Sequence, residues 1–264
     1  MQVIICPDAK RVGVVAGARV AQVCRRVGPE VTIGVATGSS PLDTYAELAA
    51  RVEAGTLDMS RAYAFALDEY VGLPEGHPES YAEVVRRTVT EPLKMDPARV
   101  HTPNGFAEDL EAAGAEYEAA IKSVGGVDIQ ILGVGSNGHI GFNEPMSSLA
   151  SRTRRVRLTP STRSDNARFF DSIDQVPQYS LTQGLGTILD SHAAVLVAQG
   201  KGKAEAVAAF VEGPVSARMP ASVLQLHEHV TVVVDEEAAS LLEFADYYRH
   251  TYDHNEMLAQ FEED

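Results

Sequence analysis

Val31-Thr32-Ile33-Gly34-Val35-Ala36-Thr37-Gly38-Ser39-Ser40-Pro41 is the stretch on which the fold turns. Its first six residues form a short apolar run rich in β-branched side chains, the pattern of a strand buried on both faces. Small polar residues, Thr37-Gly38-Ser39-Ser40, then reverse the chain, and Pro41 suits the first turn of a helix running to residue 53. A strand of this kind followed at once by an amphipathic helix is the unit of a parallel sheet, because parallel neighbours can be joined only by a crossover.

The same alternation recurs on either side. Residues 62–67, 127–134, 193–198 and 230–234 read as further buried strands, and residues 8–27, 108–123, 203–212 and 236–248 carry helical spacing. The fold class is therefore α/β: three layers, α/β/α, around a mostly parallel, Rossmann-like central sheet. No repeat, low-complexity tract or Pro/Gly/Ser-rich linker divides the chain, so a single domain over residues 1–264 is expected.

Composition narrows the function classes. Hydrophobic residues at 45% and charged residues at 22% sit near globular averages, so a packed core is expected. A formal net charge of −15 opposes binding to nucleic acid or to anionic membranes, since both repel such a surface. No apolar run approaches the roughly 20 residues that span a bilayer, and Met-Gln-Val-Ile-Ile-Cys-Pro lacks the basic segment of a secretion signal. With only Cys6 and Cys24, neither a disulfide framework nor a zinc site is expected, and a cytoplasmic location fits.

In open α/β sheets, ligands bind outside the carboxyl ends of the strands. Polar clusters follow the proposed strands at those ends: Thr37-Gly38-Ser39-Ser40, Asp68-Glu69-Tyr70, Gly135 to Glu144, and Lys201-Gly202-Lys203. The first can present backbone N–H groups and hydroxyls to an anion, or can serve only as a helix cap through Ser40. Asp68 and Glu69 stand where partial burial would raise a carboxylate toward the range of a general base, although two solvated acids in a turn would look the same.

The segment Gly133-Val134-Gly135-Ser136-Asn137-Gly138-His139-Ile140-Gly141-Phe142-Asn143-Glu144-Pro145 opens with the glycine spacing of a dinucleotide site. That assignment fails. Gly138, Gly141 and Pro145 oppose a long helix, and about 20 residues on stand Arg152 to Arg157, not the acid a ribose needs. What remains is a glycine-rich loop presenting His139 and Glu144, a pair suited to acid–base work or to a structural role. Lys201, Lys203 and Arg168 could clamp a phosphate or stand as solvated cations.

Arg152, Arg154, Arg155 and Arg157 read as one strand, with an anion or a subunit contact as their use. His250 and His254 lie four apart, but no Glu follows the first and no third His joins them, so no metal site is expected.

Taken together, Ala36 to Pro41, Leu67 to Leu73, Gly138 to Pro145, Ser147 to Arg154 and Asn166 to Phe170 resemble the glucosamine-6-phosphate deaminase family, in family order. The resemblance runs from about residue 30 to 235 and implies conversion of glucosamine 6-phosphate and water to fructose 6-phosphate and ammonia. It implies Asp68 as the base at carbon 2, His139 as the ring-opening group and Glu144 as the residue that orients it. Thr37, Gly38, Ser39, Ser40, Arg168 and Lys203 would hold the phosphate of a small-molecule phosphosugar. No cofactor is implied. Asn137 stands where many members carry Asp; it can hydrogen-bond but cannot carry charge, so His139 should be less basic here.

Some relatives are hexamers activated by N-acetylglucosamine 6-phosphate. The resemblance therefore implies a homo-oligomer, with a hexamer among the options, and marks Ser147 and Arg154 as allosteric candidates, while Val156 stands where those relatives have a second basic residue. Two rivals share parts of the pattern: a phosphosugar lactonase of the same superfamily, and a non-catalytic sugar-phosphate sensor domain. Asp68 to Leu73 with Phe142 to Pro145 favours the deaminase over the first. Against the second stand the retained acid–base residues and the lack of a helix-turn-helix with a basic face before residue 30.

Overall fold

The computed structural model describes residues 1–253. In chain order the first half contains β1 (Gln2–Cys6), α1 (Ala9–Val27), β2 (Thr32–Val35), α2 (Leu42–Glu53), β3 (Tyr63–Ala66), β4 (Asp68–Val71), α3 (Tyr81–Val85), β5 (Val100–His101), α4 (Leu110–Ser123) and β6 (Ile129–Leu132). The second half adds β7 (Arg154–Arg157), α5 (Pro160–Asn166), β8 (Tyr179–Thr182), α6 (Leu185–Leu189), β9 (Ala194–Ala198), α7 (Ala204–Val211), β10 (Val230–Asp235) and α8 (Ala245–Asp253).

The central sheet has seven strands in the order β1-β10-β9-β6-β2-β3-β5, every pair parallel. Its strands are apolar because both faces are covered. In β9, Val195 and Val197 face the layer built by α1 and α2, whereas Ala194, Leu196 and Ala198 face α6, α7 and the 3-10 turn Pro220–Leu226. On that second face α4 packs Tyr117 and Ile121 against Phe65 of β3. The three-layer α/β/α expectation holds.

Strand order places the ligand crevice. From β2 the chain moves outward through β3 to β5, returns to β6 on the other side of β2, and continues through β9 to β10. The direction reverses between β2 and β6, so their carboxyl ends splay apart and leave an opening.

A three-stranded antiparallel sheet, β4-β8-β7, stands beside that opening. It corrects one expectation: Asp68-Glu69-Tyr70 is not a loop but the start of β4, separated from β3 by Leu67 alone. Leu67 passes the chain between sheets, its carbonyl accepting the Gln183 N–H at 2.7 Å. The expected basic strand is β7, the outer member of this sheet.

Other boundaries differ for local reasons. β1 was not among the expected strands; it is a sheet edge paired only with β10. Asp8 caps α1 by accepting the Arg11 N–H at 2.8 Å. The helix expected over 203–212 is preceded by a 3-10 turn, Lys201–Lys203, before α7. Residues 236–243 form turns instead of helix. There Ala238, Ala239 and Leu242 bury against the second layer, and the Glu212 carboxylate accepts the N–H groups of Glu243 and Phe244 ahead of α8. No described helix is long and apolar enough to cross a membrane.

Candidate active site

A cavity of about 460 Å³ occupies the crevice at the carboxyl ends of β2, β3, β6 and β9. Thr37, Gly38, Ser39, Ser40, Asp68, His139, Arg168 and Lys203 all line it. Groups from both sheets and from α5 thus reach one space, large enough for a monosaccharide phosphate.

Asp68 sits at the seam of the two sheets and is only 5% exposed. Burial, reinforced by the neighbouring Glu69 charge, pushes its carboxyl from an ordinary 3.8 up to about 8. The Thr182 hydroxyl, 3.4 Å from Oδ2, and the Phe142 amide pull it back part of the way. Glu69 points elsewhere: its carboxylate accepts the N–H groups of Tyr70, Tyr81 and Ala82 at 2.7, 2.9 and 2.8 Å, so it caps α3. The two adjacent acids divide into one that faces the cavity and one that builds its wall.

His139 is held from behind. Asn137 Nδ2 donates to Glu144 Oε2 at 2.8 Å, and a carboxylate can only accept, so the amide oxygen of Asn137 must face the imidazole. That oxygen lies 2.7 Å from His139 Nδ1. Nδ1 therefore carries the proton, and Nε2 keeps its lone pair as the basic nitrogen. Burial holds the imidazole below its ordinary value of 6.5; Glu144 counters this and Lys203 adds to it. Burial alone would raise Glu144, but hydrogen bonds from Thr162 and the Thr159 amide, with help from His139 and Asn137, hold it below the usual carboxylate range.

The tight loop is what brings these groups together. A Cβ on Gly135 would stand 2.3 to 2.6 Å from the His139 ring, so only glycine lets the imidazole lie against the backbone. Asn143, fully buried, donates to the carbonyls of Ile140 and Gln183 at 3.0 and 2.8 Å and fixes the far end of the loop.

The opposite end of the cavity is cationic. Arg168 donates to Ser39 Oγ at 3.2 Å, and Lys203 faces in from the 200–203 turn. Burial lowers the Lys203 ammonium from its ordinary 10.5, Asp165 opposes this and Arg168 reinforces it, as expected of two cations sharing a site. In a chain of net charge −15, this local pair with the hydroxyls and N–H groups of Thr37 to Ser40 is an arrangement that can hold an anion.

Asn137 and Glu144 lie outside the lining and reach it only by contact with His139. Ser147 and Arg154 are also outside it. Arg154 donates to Asn143 Oδ1 at 2.9 Å and borders a second cleft with Asp109, Glu111 and Arg152, in which Ser147 takes no part. Of the histidine pair, His254 lies outside the described residues, and no metal-ligating cluster occurs among those described.

The structure adds Tyr81, Asp165 and Gln199 to the lining, none of them among the expected residues, along with Ser136 and Asn166 from two of the segments already singled out. Gln199 directly follows a strand and could have been found by the strand-end rule; Tyr81 comes from a helix start with no such signal.

The family model for glucosamine-6-phosphate isomerases/6-phosphogluconolactonase matches residues 8–233. A glucosamine-6-phosphate deaminase of Pseudarthrobacter chlorophenolicus is 57% identical over 253 residues, 96% of this chain and 97% of that one. Its counterpart in Streptomyces coelicolor is 58% identical over 255 residues, again 96% and 97%. A solved monomeric glucosamine-6-phosphate deaminase superposes with a TM-score of 0.88 at 43% identity, covering 91% of this chain and all of that one. A 6-phosphogluconolactonase from Trypanosoma cruzi shares the fold, with a TM-score of 0.72 at 18% identity over 92% of this chain and 97% of that one.

Proposed function

Because this chain belongs to the family of glucosamine-6-phosphate isomerases and 6-phosphogluconolactonases, we propose that its cavity converts glucosamine 6-phosphate and water to fructose 6-phosphate and ammonia. The observation that carries this reading is the meeting of Asp68 and His139 in one cavity whose other end offers Arg168, Lys203 and the Thr37–Ser40 turn. A carboxyl that burial holds up to about 8 is suited to taking a carbon-bound proton near neutral pH.

In this reading the phosphate docks on the cationic end and supplies binding energy remote from the reacting carbons. His139 Nε2 takes the proton of the carbon 1 hydroxyl and delivers it to the ring oxygen, so the pyranose opens to the aldehyde. Asp68 removes the proton from carbon 2 while the substrate ammonium yields a proton to the carbonyl oxygen on carbon 1, giving an enolamine, and Asp68 then returns its proton to carbon 1. The resulting imine at carbon 2 adds water and releases ammonia, leaving the ketose. These proton transfers call for no metal and no organic cofactor.

A single domain is supported by β4 of the small sheet supplying Asp68 to a cavity walled by the large one. On assembly, the resemblance points to a homo-oligomer and the 43%-identical relative is described as monomeric; light scattering separates the two. A cytoplasmic site of action is supported by two buried, free cysteines. Activation through Ser147 and Arg154 gains support from the Arg154 contact to Asn143, in the loop that carries His139 and Glu144. Turnover measured with and without N-acetylglucosamine 6-phosphate tests it.

The direct test of the activity is production of ammonia and fructose 6-phosphate from glucosamine 6-phosphate with a chelator present. Turnover of both products in equal amounts is expected. Hydrolysis of 6-phosphogluconolactone without ammonia release from the amino sugar would replace this reading with the lactonase.

A further inference from the structure

We propose that Asp235 is a positioning residue for phosphate binding, its carboxylate holding the turn that carries Lys203 into the cavity. The proposal rests on the phosphosugar reading above. Asp235 ends β10 and is only 7% exposed, yet it does not line the cavity.

Both of its carboxylate oxygens accept the Gly200 N–H, at 3.0 and 2.9 Å, and Oδ1 also accepts the Ala238 N–H at 2.8 Å. The next peptide is held as well, Lys201 N–H donating to Glu237 Oε2 at 3.2 Å. From there the turn closes on itself through Lys203 N–H to the Gly200 carbonyl at 3.0 Å. Two acids, one at the end of β10 and one in the turn just after it, thus fix the backbone at Gly200 and Lys201.

Glycine at 200 has a conformational cause. Its φ of 81° and ψ of 155° belong to a region that L side chains avoid, while a Cβ would find nothing nearer than Glu237 Oε2 at 3.9 Å. Space is free; the dihedral is what demands glycine. Lysine is a flexible cation, so a phosphate subsite built on Lys203 needs its main chain set beforehand if binding is not to spend energy ordering it. A carboxylate close to a phosphate site is unfavourable in Coulomb terms, so its placement is accounted for by geometry and not by charge.

Steady-state kinetics with glucosamine 6-phosphate on the parent, Asp235→Ala, Asp235→Asn and Gly200→Ala test this. Asp235→Ala and Gly200→Ala should each raise KM about ten-fold with kcat held within about three-fold, because the phosphate contacts and not the reacting atoms are displaced. Asp235→Asn keeps an oxygen for Gly200 and Ala238 and should return KM to within about three-fold of the parent. An unchanged KM in Asp235→Ala, or a fall in kcat with KM held, overturns the proposal. Gly200→Ala leaves both carboxylates in place and keeps the question open to test if Asp235→Ala does not fold.

Binding of inorganic phosphate by calorimetry requires no turnover and should weaken about ten-fold in Asp235→Ala. If the parent binds phosphate but releases no ammonia, the deaminase reading falls while a weakened Asp235→Ala still upholds this one. Equal phosphate affinity in the two proteins overturns it whatever the turnover.

Discussion

Asp68 and His139 are pushed toward neutrality from opposite sides, the carboxyl up to about 8 and the imidazole below 6.5, and burial is the leading cause for both. At neutral pH the imidazole is therefore a neutral base, while Asp68 in the free enzyme still holds its proton. An amino sugar bearing an ammonium group would lower the Asp68 value on binding and ionise the base where it is needed. The free enzyme retains the raised value, so kcat/KM should climb from about pH 6 and level off above about pH 8. A flat profile across that range would remove Asp68 from the base role. Asp68→Asn should cut ammonia release by about a thousand-fold while binding of fructose 6-phosphate stays within about three-fold. Calorimetry beside the activity assay checks both halves. Asn137 shows how an amide can replace an acid here: its oxygen sets the His139 tautomer at 2.7 Å and its nitrogen passes the link to Glu144, but it adds no charge.

At the scale of elements, the glycine loop after β6 is a positioning device. Gly135→Ala would force a methyl to within 2.6 Å of the His139 ring, so the ring must rotate off its Asn137 contact. Turnover of the cyclic substrate should fall about ten- to a hundred-fold with KM little changed, since ring orientation and not phosphate contact is lost. An acyclic analogue should be affected less; equal loss on both would separate His139 from ring opening. This loop was legible in the sequence because glycines, a histidine and a carboxylate followed a strand with unmistakable apolar character. Five strands of the large sheet were legible for the same reason, being continuous apolar runs, whereas the edge strand β1 and the two-residue β5 were not. The small sheet was not: β4 reads Asp-Glu-Tyr-Val, a polar cluster, and its partner residues in β8 lie more than a hundred positions away, as Asp68 opposite Thr182 shows. No local pattern encodes such a pairing. Residues 236–243 failed for a related reason: their helical spacing was real, but Glu212 from a distant helix end fixes where α8 begins. Tyr81 entered the cavity unannounced because Glu69, read as a possible base, instead anchors the start of α3.

For the whole molecule, keeping Asp68 dry is a load on stability, and pH reveals it. In the unfolded chain this carboxyl releases its proton near 3.8, whereas in the fold it holds it up to about 8. Between those values the folded state binds more protons than the unfolded state. The contribution of this group is therefore fully present below the unfolded value and is lost as pH rises through about 8. Asp68→Asn keeps the shape, removes the titration and relieves the repulsion with Glu69. Its unfolding midpoint should gain on the parent's as pH rises, and the advantage should be greatest above about pH 8. Between pH 5.5 and 8.5 the difference should widen by about 2–4 kcal/mol, or several degrees in a chain of this size. Thermal or urea unfolding of both proteins at the two pH values measures it. If the gap stays constant, Asp68 is ionised in the fold at neutral pH and the crevice between β2 and β6 admits more water than its packing indicates. If it widens, the variant that gains stability is the one that has lost its base, and the strand order that opens the crevice also sets the stability the fold gives up there.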